Sequence, residues 1–539
     1  MKRKHVAKMV SAVLVTTMLM GLAGCGSSGT KDVTQSGSSS STGDEGIASD
    51  SPYAGKGYDL SEKKTVVMYV LGDTPEDMDE VLEKANSEYF EPNLNTTLDL
   101  EFLNWSDYST KYSLLLAGGD PVDLIYTASW CYYNEEAANG AFKILDRDWL
   151  KQYMPLSYDQ QPDESWDEIS INNTIYAVPK SKATFTAYNQ VAVRQDLIDK
   201  YNLTVPDSWD NYVKYLKELA QKQSETGVTA LNTNANREQL LTTYGQSKGV
   251  QGVTEGYDFE YYANNSDAAP STDDIWYLYT SDFYKDYCLT MADLAKSGVW
   301  STDAINDTSD AQAYFENGTS GSFVWNSSIF TAGKNLEDSG NGTYAAYDVT
   351  PDVKRNRGSY AVDAIAITEK SEDPERAALV LDYMKGDVNL NRLLLGGIEG
   401  KHYQLNEDGT RTTLDDADGY TWNNWAWAIN RQDEPDESGL DERQIAIDKH
   451  NEEMEYVPQQ TGFTFDPSEV QTEFTVVQSL VDEYKMAFAL GIYGDDTEKT
   501  FEDFKKQLED AGIQKVCDEF NTQYKVCLLY TSPSPRDTE

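Results

Sequence analysis

Short apolar runs alternate with amphipathic segments in the first part of the folded chain. Apolar side chains predict strands at Thr65–Leu71 and Thr97–Leu103, and the helical spacing between them predicts a helix that ends near Tyr89. A second helix over Ser106–Leu116 and a strand over Val122–Tyr126 repeat the alternation. Repeats of this kind favour a parallel sheet covered by helices, in which ligands bind at the carboxyl ends of the strands.

The rest of the chain continues in an α/β order. We predict strands at 175–178, 184–188, 322–325 and 360–368, and helices at 193–201, 209–222, 281–297, 309–317, 373–385, 466–490 and 498–511. The helix from residue 209 has an apolar face made of Trp209, Val213, Leu216 and Ala220. Residues 466–469 have the pattern of a capping box, Gly491 ends that helix, and residues 407–409 predict a hairpin turn.

The first 57 residues are predicted to lie outside the folded body. Four basic residues precede an apolar run that ends at Gly24, which is too short for the ~20 residues of a membrane span and is typical of a signal peptide over residues 1–24. Leu22–Cys25 resembles the bacterial lipobox, which implies that Cys25 carries a lipid. Ser- and Gly-rich residues 26–57 predict a flexible tether. Residues 25–57 would then comprise the lipidated cysteine and the tether that links it to the folded body.

The C-terminal run Cys527–Asp537 reads CLLYTSPSPRD. It resembles the translation of a transposase adapter that is used to build sequencing libraries. We therefore expect residues 527–539 to be an artefact and the natural sequence to continue differently after Val526. An ordinary frayed terminus is the alternative.

Charge and composition limit the possible partners. The 539 residues include 44 Lys and Arg against 91 Asp and Glu, which gives a net charge of −47. A field of this sign repels nucleic acid and excludes a DNA or RNA partner. With 11 Trp, 36 Tyr and 39% hydrophobic residues, the chain can bury a large core, which argues against a wholly disordered protein.

Cysteine and histidine are too sparse for the common catalytic and metal sites. Cys131, Cys288 and Cys517 are widely spaced and odd in number, so we predict no disulfide framework and interpret them as small core residues. His402 and His450 have no Cys or second His nearby, which leaves no zinc spacing and little scope for a Ser–His–Asp triad. We predict neither a metal nor a cofactor.

Several stretches carry a family resemblance through their order and spacing. They are LLLAGGDPVD at 114–123, YAVP at 176–179, AYNQ at 187–190, LTVPDSW at 203–209, the segments 321–326 and 360–368, GIEGKHY at 397–403, the aromatic run 422–430, and 462–515. Together they resemble the bacterial extracellular solute-binding proteins of family 1, the receptor lipoproteins of ABC importers. The last three resemble a lipoprotein subfamily with a distinctive C-terminal module that is associated with complex oligosaccharides.

The resemblance implies an α/β fold with two lobes, the periplasmic-binding-protein-like type II fold, with a hinge and a ligand cleft between the lobes. It assigns residues 63–183 to the first lobe, 184–360 to the second, and 361–526 to returning segments and a C-terminal helical module shared between both. It further implies a monomeric, non-catalytic receptor, lipid-anchored on the outer face of a bacterial, Gram-positive cytoplasmic membrane. Such a receptor captures an oligosaccharide and delivers it to ABC permease subunits.

A sugar presents hydroxyls at its rim and C–H groups on its faces, so its site combines aromatic platforms with fixed polar side chains. By resemblance, eight residues face the cleft: Trp105, Asp107, Trp130, Asn134, Lys182, Trp325, Asn326 and Trp425. Each aromatic has core packing as its alternative. Phe323 and Trp325 alternate along a strand, and we favour Trp325 as the one that faces the ligand. Lys182 is either a solvated lysine or a partner for a uronic acid carboxylate.

Two other functions stay open at this point. A surface glycosidase would place two carboxylates about 5–5.5 or 6.5–9.5 Å apart around a sugar. A glycan-binding or structural lipoprotein would act without transport.

Overall fold

The computed structural model describes residues 46–183, 189–232, 237–254, 256–263, 268–307, 309–456 and 463–531. The signal peptide, Cys25 and the strand predicted at 184–188 lie outside these residues. The strands are β1 (Lys64–Leu71), β2 (Thr96–Leu103), β3 (Leu124–Thr127), β4 (Val178–Pro179), β5 (Gln190–Arg194), β6 (Val250–Gly252), β7 (Phe259–Tyr262), β8 (Trp276–Tyr277), β9 (Ser322–Val324), β10 (Tyr344–Asp348), β11 (Arg355–Asn356), β12 (Ala364–Ile367), β13 (Tyr403–Leu405), β14 (Arg411–Thr413) and β15 (Glu455–Tyr456).

The helices follow the same order along the chain. They are α1 (Met78–Ala85), α2 (Glu91–Leu94), α3 (Tyr108–Ala117), α4 (Tyr133–Ala138), α5 (Arg147–Tyr153), α6 (Asp163–Ile169), α7 (Gln195–Tyr201), α8 (Trp209–Ala220), α9 (Gln223–Thr226), α10 (Arg237–Ser247), α11 (Asp282–Lys296), α12 (Ala311–Glu316), α13 (Ser328–Asp338), α14 (Pro374–Gly386), α15 (Val388–Gly396), α16 (Glu442–Glu453), α17 (Gln471–Ala489), α18 (Thr497–Asp510) and α19 (Ile513–Thr531). A π-helical turn, Asn86–Phe90, joins α1 to α2. Among the residues that the structure describes, no helix is long and apolar enough to cross a membrane.

The first lobe is built on a five-stranded sheet in the order β2-β1-β3-β12-β4. β1 pairs in parallel with β2 and β3, whereas β12 runs antiparallel to β3 and β4. Every residue of β3 and β12 is buried, as expected for strands covered by helices on both faces. The predicted β-α-β opening and its parallel pairing are confirmed.

The second lobe combines small antiparallel sheets with a thick helical layer. β5 lies between β10 and β9, and a separate sheet has the order β6-β7-β8. Side chains of α8, α11 and the C-terminal helices α17, α18 and α19 bury into one hydrophobic core together with β5 and β7. The C-terminal helices are therefore part of the core of this lobe.

The two larger hydrophobic cores show how the chain is divided between the lobes. One core takes buried residues from Tyr53 to Val178 and from Ala361 to Ile429. The other takes residues from Val191 to Val349 and from Tyr456 to Tyr524. The returning part predicted at 361–526 is thus divided between the lobes: its first half completes the first lobe and its C-terminal helices complete the second.

Residues 46–57 pack on the first lobe, which corrects the tether predicted to reach residue 57. Tyr53 is fully buried, and its hydroxyl donates to Oδ2 of Asp382 at 2.9 Å. Ser51 Oγ donates to the carbonyl oxygen of Asn93 at 2.8 Å. The Ser- and Gly-rich composition indicates flexibility, but the burial of one aromatic ring stabilises an ordered segment.

Burial raises the pKa of Asp382 to about 6. Hydrogen bonds to its carboxylate from the Tyr53 hydroxyl and the 156–157 backbone act in the opposite direction and limit this rise.

Other boundaries differ from prediction for local reasons. Val193 lies in the buried strand β5, and the helix predicted from it begins two residues later at Gln195. The buried face of α8 includes Tyr212 and Leu219, whereas Val213 and Ala220 are only partly buried. The large aromatic rings of this helix determine which side faces the core. The predicted face differs because it follows mainly aliphatic residues and does not include the tyrosines.

The start of α17 also differs from the predicted capping box. Asp466 Oδ1 accepts the N–H of Ser468 at 2.9 Å, and a 3-10 turn over Ser468–Val470 precedes the helix.

Two other local predictions agree with the structure, one of a turn and one of buried cysteines. The hairpin turn between β13 and β14 is confirmed, with Gly409 at φ 88°. Cys131 and Cys288 are buried and free, as predicted for core residues.

Gly491, predicted to end α17, lies where this helix meets the backbone of α11. Its φ is 62°, and a Cβ atom there would stand 2.5 Å from the carbonyl oxygen of Met291. Gly494 has a φ of 52°, but nothing lies within 4 Å of such an atom. We expect Gly491→Ala to lower the free energy of unfolding by about 3 kcal/mol and Gly494→Ala by about 1 kcal/mol. Both substitutions force alanine into a left-handed backbone conformation, but only the new methyl group at position 491 also overlaps with the backbone of α11. Urea unfolding measures both, and equal losses would contradict this close approach.

Candidate functional site

A cavity of about 610 Å³ lies between the two lobes. The first lobe lines it with Trp130, Lys182, Ala183, Val362, Asp363 and Trp425. The second lobe lines it with Gln190, Asn326, Ser327, Gln444, Asp448, Asn451 and Glu452. A larger cavity of about 1160 Å³ lies between residues 144–175 and the C-terminal helices, but none of the described residues that line it is a tryptophan. The smaller cavity, with aromatic side chains on one wall and polar groups on the other, has the character of a ligand site.

Three tryptophans of the first lobe form an aromatic platform. Trp105 and Trp130 stack with ring centroids 6.4 Å apart and planes inclined by 24°. Trp425 meets Trp130 at 5.8 Å and Trp105 at 6.0 Å. Trp105 and Trp130 each keep 39% of their surface exposed. Indole rings that remain in contact with water in a cleft are suited to stacking on a flat apolar face of a ligand.

The turn after β3 fixes Trp130. Its indole N–H donates to the carbonyl oxygen of Val362 at 3.0 Å. Asp363, the next residue, accepts the Tyr126 hydroxyl at 2.9 Å and the Lys180 ammonium at 2.8 Å. Lys180 is fully buried, so this pair supports the platform from within the lobe. The platform is therefore held by a hydrogen-bonded network that a ligand need not assemble.

Trp425 comes from a different part of the chain, the 3-10 helix Asn424–Trp427. This helix ends at Ala428, whose φ is 49°. Trp427 of the same turn is fully buried in the core of the first lobe. One tryptophan of the turn thus anchors it while the other lines the cavity.

The opposite wall is one face of α16. Four polar side chains at positions i, i+4, i+7 and i+8 share this face: Gln444, Asp448, Asn451 and Glu452. Asp441 caps the helix by accepting the N–H of Arg443, and the same carboxylate holds the Arg443 guanidinium at 2.7 Å. The Arg443 guanidinium lies over the Tyr344 ring, 3.7 Å from its centroid, and so ties α16 to β10.

Charge is uneven across the cavity. Burial raises the pKa of Asp448, and the charge of Glu452 raises it further. Lys182 faces the cavity from the first lobe, and it forms no ion pair with any residue in the described ranges. Within the described part of the chain, no group of three or more His, Cys, Asp or Glu side chains is arranged to hold a metal ion.

Two further polar groups complete the wall of the second lobe. Gln190 is 1% exposed, and its Oε1 has no hydrogen-bond partner among the described residues. A buried acceptor without a partner is uncommon, and on the cavity wall it is a position that a ligand or water can fill. Asn326 Oδ1 accepts the N–H of Ser328 at 3.0 Å, which fixes this side chain at the start of α13.

The family is decided by a match over most of both lobes. The bacterial extracellular solute-binding proteins match residues 72–389, more than half of the 539 residues. The chain belongs to this family. A second match, to a domain of unknown function (DUF3502), covers residues 459–526, and the described part of this range includes α17, α18 and most of α19.

This solute-binding protein has similar relatives of nearly equal length. A "carbohydrate ABC transporter substrate-binding protein" from Streptococcus pneumoniae is 22% identical over 87% of this chain and 92% of that one. The N-glycan transport solute-binding protein NgtS from Streptococcus pneumoniae, crystallised with Man1GlcNAc, is 20% identical over 86% of this chain and all of that one, with a TM-score of 0.66. An "HMO binding ABC-transporter associated Solute Binding Protein" from Bifidobacterium longum infantis is 16% identical over 87% of this chain and all of that one, with a TM-score of 0.60. The predicted two-lobed type II fold is confirmed.

The structure brings half of the predicted site residues of this solute-binding protein onto the cavity wall. These are Trp130, Lys182, Asn326 and Trp425. Trp105 does not line the cavity, but its ring contacts two of the four. The resemblance therefore pointed to the aromatic wall even though the segments that form it are far apart in sequence.

The remaining three predicted residues lie outside the cavity wall. Asp107 precedes α3 and pairs with Lys111 at 2.6 Å. Asn134 is half-buried within α4. Trp325 is half-buried and packs against the small core that includes Phe323. Because β9 ends at Val324, the strand alternation that favoured Trp325 does not extend to it.

Gln190 and the polar face of α16 were missing from the sequence prediction. Gln190 belongs to the AYNQ stretch that carried the resemblance, but a buried glutamine in a strand gives no separate signal. For α16 a signal exists: Asp441 is a typical cap, and polar residues follow at i, i+4, i+7 and i+8 of one helix.

Proposed function

We propose that this solute-binding protein captures a carbohydrate, with an oligosaccharide as its ligand class, and delivers it to an ABC permease. The observation that carries the proposal is that Trp130 and Trp425, which Trp105 contacts through its ring, lie opposite the polar face of α16 across one cavity. Stacking satisfies the C–H faces of sugar rings, and the amides and carboxylates satisfy the hydroxyls. The names of the relatives, which refer to a carbohydrate transporter, N-glycan transport and HMO binding, support the same class.

Capture follows from the two-lobed arrangement. The platform belongs to the first lobe and the hydrogen-bonding wall to the second, so a ligand that bridges them favours the state in which the lobes are close. The closed, liganded form is the one that a permease can distinguish from the empty form. We propose that the protein acts outside the cytoplasmic membrane as a lipid-anchored monomer without catalytic turnover.

The decisive test is a thermal-shift and calorimetry panel of oligosaccharides on the purified protein. A ligand at about 100 times its Kd stabilises the folded protein by about 2.7 kcal/mol, which is readily measured. Saturable binding with unchanged sugar supports the receptor function. Release of reducing ends over time would instead support the glycosidase alternative.

The proposed lipid anchor is tested by labelling cells with palmitate. The wild-type protein should incorporate the label, and the Cys25→Ser variant should not.

A further inference from the structure

Negative charge predominates among the cavity side chains that remain available to a ligand. Asp448 and Glu452 line the cavity from α16, and Lys182 faces it from the first lobe. Asp363 also lines it, but the buried ammonium of Lys180 lies 2.8 Å from its carboxylate and balances that charge. Among the described residues that line the cavity, two carboxylates against one ammonium leave a net negative charge.

Asp448 is already in an unfavourable position for an anion. Burial is the larger cause of its raised pKa and the Glu452 carboxylate the smaller, while a hydrogen bond from Gln444 opposes them. Both causes strengthen when a ligand displaces water from the cavity. A ligand carboxylate brought into the same space adds a third like charge where screening is weakest.

Unfilled hydrogen-bonding positions lead to the same conclusion by a separate route. The Oε1 atom of Gln190, which lines the cavity, is buried without a hydrogen-bond partner in the described part of the chain. Its neighbour Asn189 donates through Nδ2 to Oδ1 of Asn451 on the same wall at 3.5 Å. Gln190 Oε1 and the two carboxylates are acceptors, which require donors. A sugar hydroxyl donates, whereas an ionised carboxylate only accepts.

We propose that the cleft selects uncharged oligosaccharides over those that carry uronic or sialic acids, and that Asp448 and Glu452 set this selection. Lys182 then donates to ligand hydroxyl or ring oxygens and offsets part of the acidic wall, and it does not pair with a ligand carboxylate. This inference rests on the proposed function, since it presumes a carbohydrate in the cavity. It narrows that function to a ligand charge class and names the residues that determine it.

The experiment is a glycan array followed by calorimetry, with matched glycans that differ only in one acidic sugar. The wild-type protein should bind the neutral member at least about tenfold more tightly than its acidic partner, because like charges in a cleft repel strongly. Asp448→Asn combined with Glu452→Gln should reduce that ratio to less than about threefold, with the gain on the acidic member. Glu453→Gln is the matched control: it removes the same charge from the next residue of α16, which is exposed and outside the cavity wall.

Each outcome bears on one claim. Equal or tighter wild-type binding of the acidic members would overturn the selection, as would a ratio unchanged in the double variant. Tighter binding of glucosamine oligomers than of their N-acetylated counterparts would overturn it in favour of a cationic ligand. Since Glu452 is exposed, Glu452→Gln alone retains the fold and should shift the ratio part of the way even if the double variant unfolds. Binding of no glycan would contradict the proposed function itself.

Discussion

Trp425→Ala should weaken oligosaccharide binding by about 30-fold or more, equivalent to about 2 kcal/mol, as expected for an aromatic residue at the centre of a site. Trp425 contacts both other members of the platform and also Tyr126, at 5.5 Å between ring centroids. Its removal takes away one stacking face and allows Trp105 and Trp130 to reorient. Isothermal titration calorimetry with an oligosaccharide identified by the screen measures the change.

Trp149→Ala is the matched control for this substitution. Trp149 is also half-buried in the first lobe, where it packs on Tyr153 at 4.9 Å, but it is outside the cavity wall. We expect its loss to leave the Kd within about twofold, while Trp425→Phe retains a smaller face and recovers part of the affinity. Wild-type affinity in Trp425→Ala would show that the platform does not bind the sugar.

The sheet of the first lobe could be predicted from sequence because its signals are local. Buried parallel strands appear as short apolar runs, and the helices between them begin and end at capping residues and glycines. The allocation of later segments to lobes could not be predicted in this way. Residues 361–429 and 463–524 both contain apolar stretches, and only tertiary contacts place the first in one core and the second in the other.

The two walls of the cavity differ in how far they could be predicted. Trp130 and Trp425 were reached through family resemblance, because their type and position match a known pattern. The wall formed by α16 has only the local signal of the Asp441 cap and the polar spacing, since charged and polar residues occur all around that helix and only Asn451 is buried in it. A helix without an apolar stripe does not register in hydrophobic periodicity. It is positioned instead by Arg443 and Tyr344, a contact between residues distant in sequence.

The C-terminal helices are joined to the second lobe through aromatic packing. The Phe259 ring of β7 stacks on Phe520 of α19 with centroids 3.7 Å apart, and the Trp300 indole donates to the carbonyl oxygen of Leu490 at 3.1 Å. Four phenylalanines of the helices α17, α18 and α19 are buried in that core: Phe488, Phe501, Phe504 and Phe520. At about 1.5–3 kcal/mol each, their burial is worth about 6–12 kcal/mol, comparable to the entire stability of a typical domain.

Truncation after Tyr456 should therefore abolish the folding of the second lobe and with it all oligosaccharide binding. In limited proteolysis we expect residues 190–350 to be degraded rapidly, while a fragment of the first lobe persists because its core is separate. Deletion of residues 527–539 alone is the control. Of its described residues Cys527 and Leu528 pack only partly on the core, so we expect the melting temperature to fall by no more than about 2–4 °C. A truncated chain that still melts cooperatively and binds its sugar would show that the C-terminal module is an independent appendage.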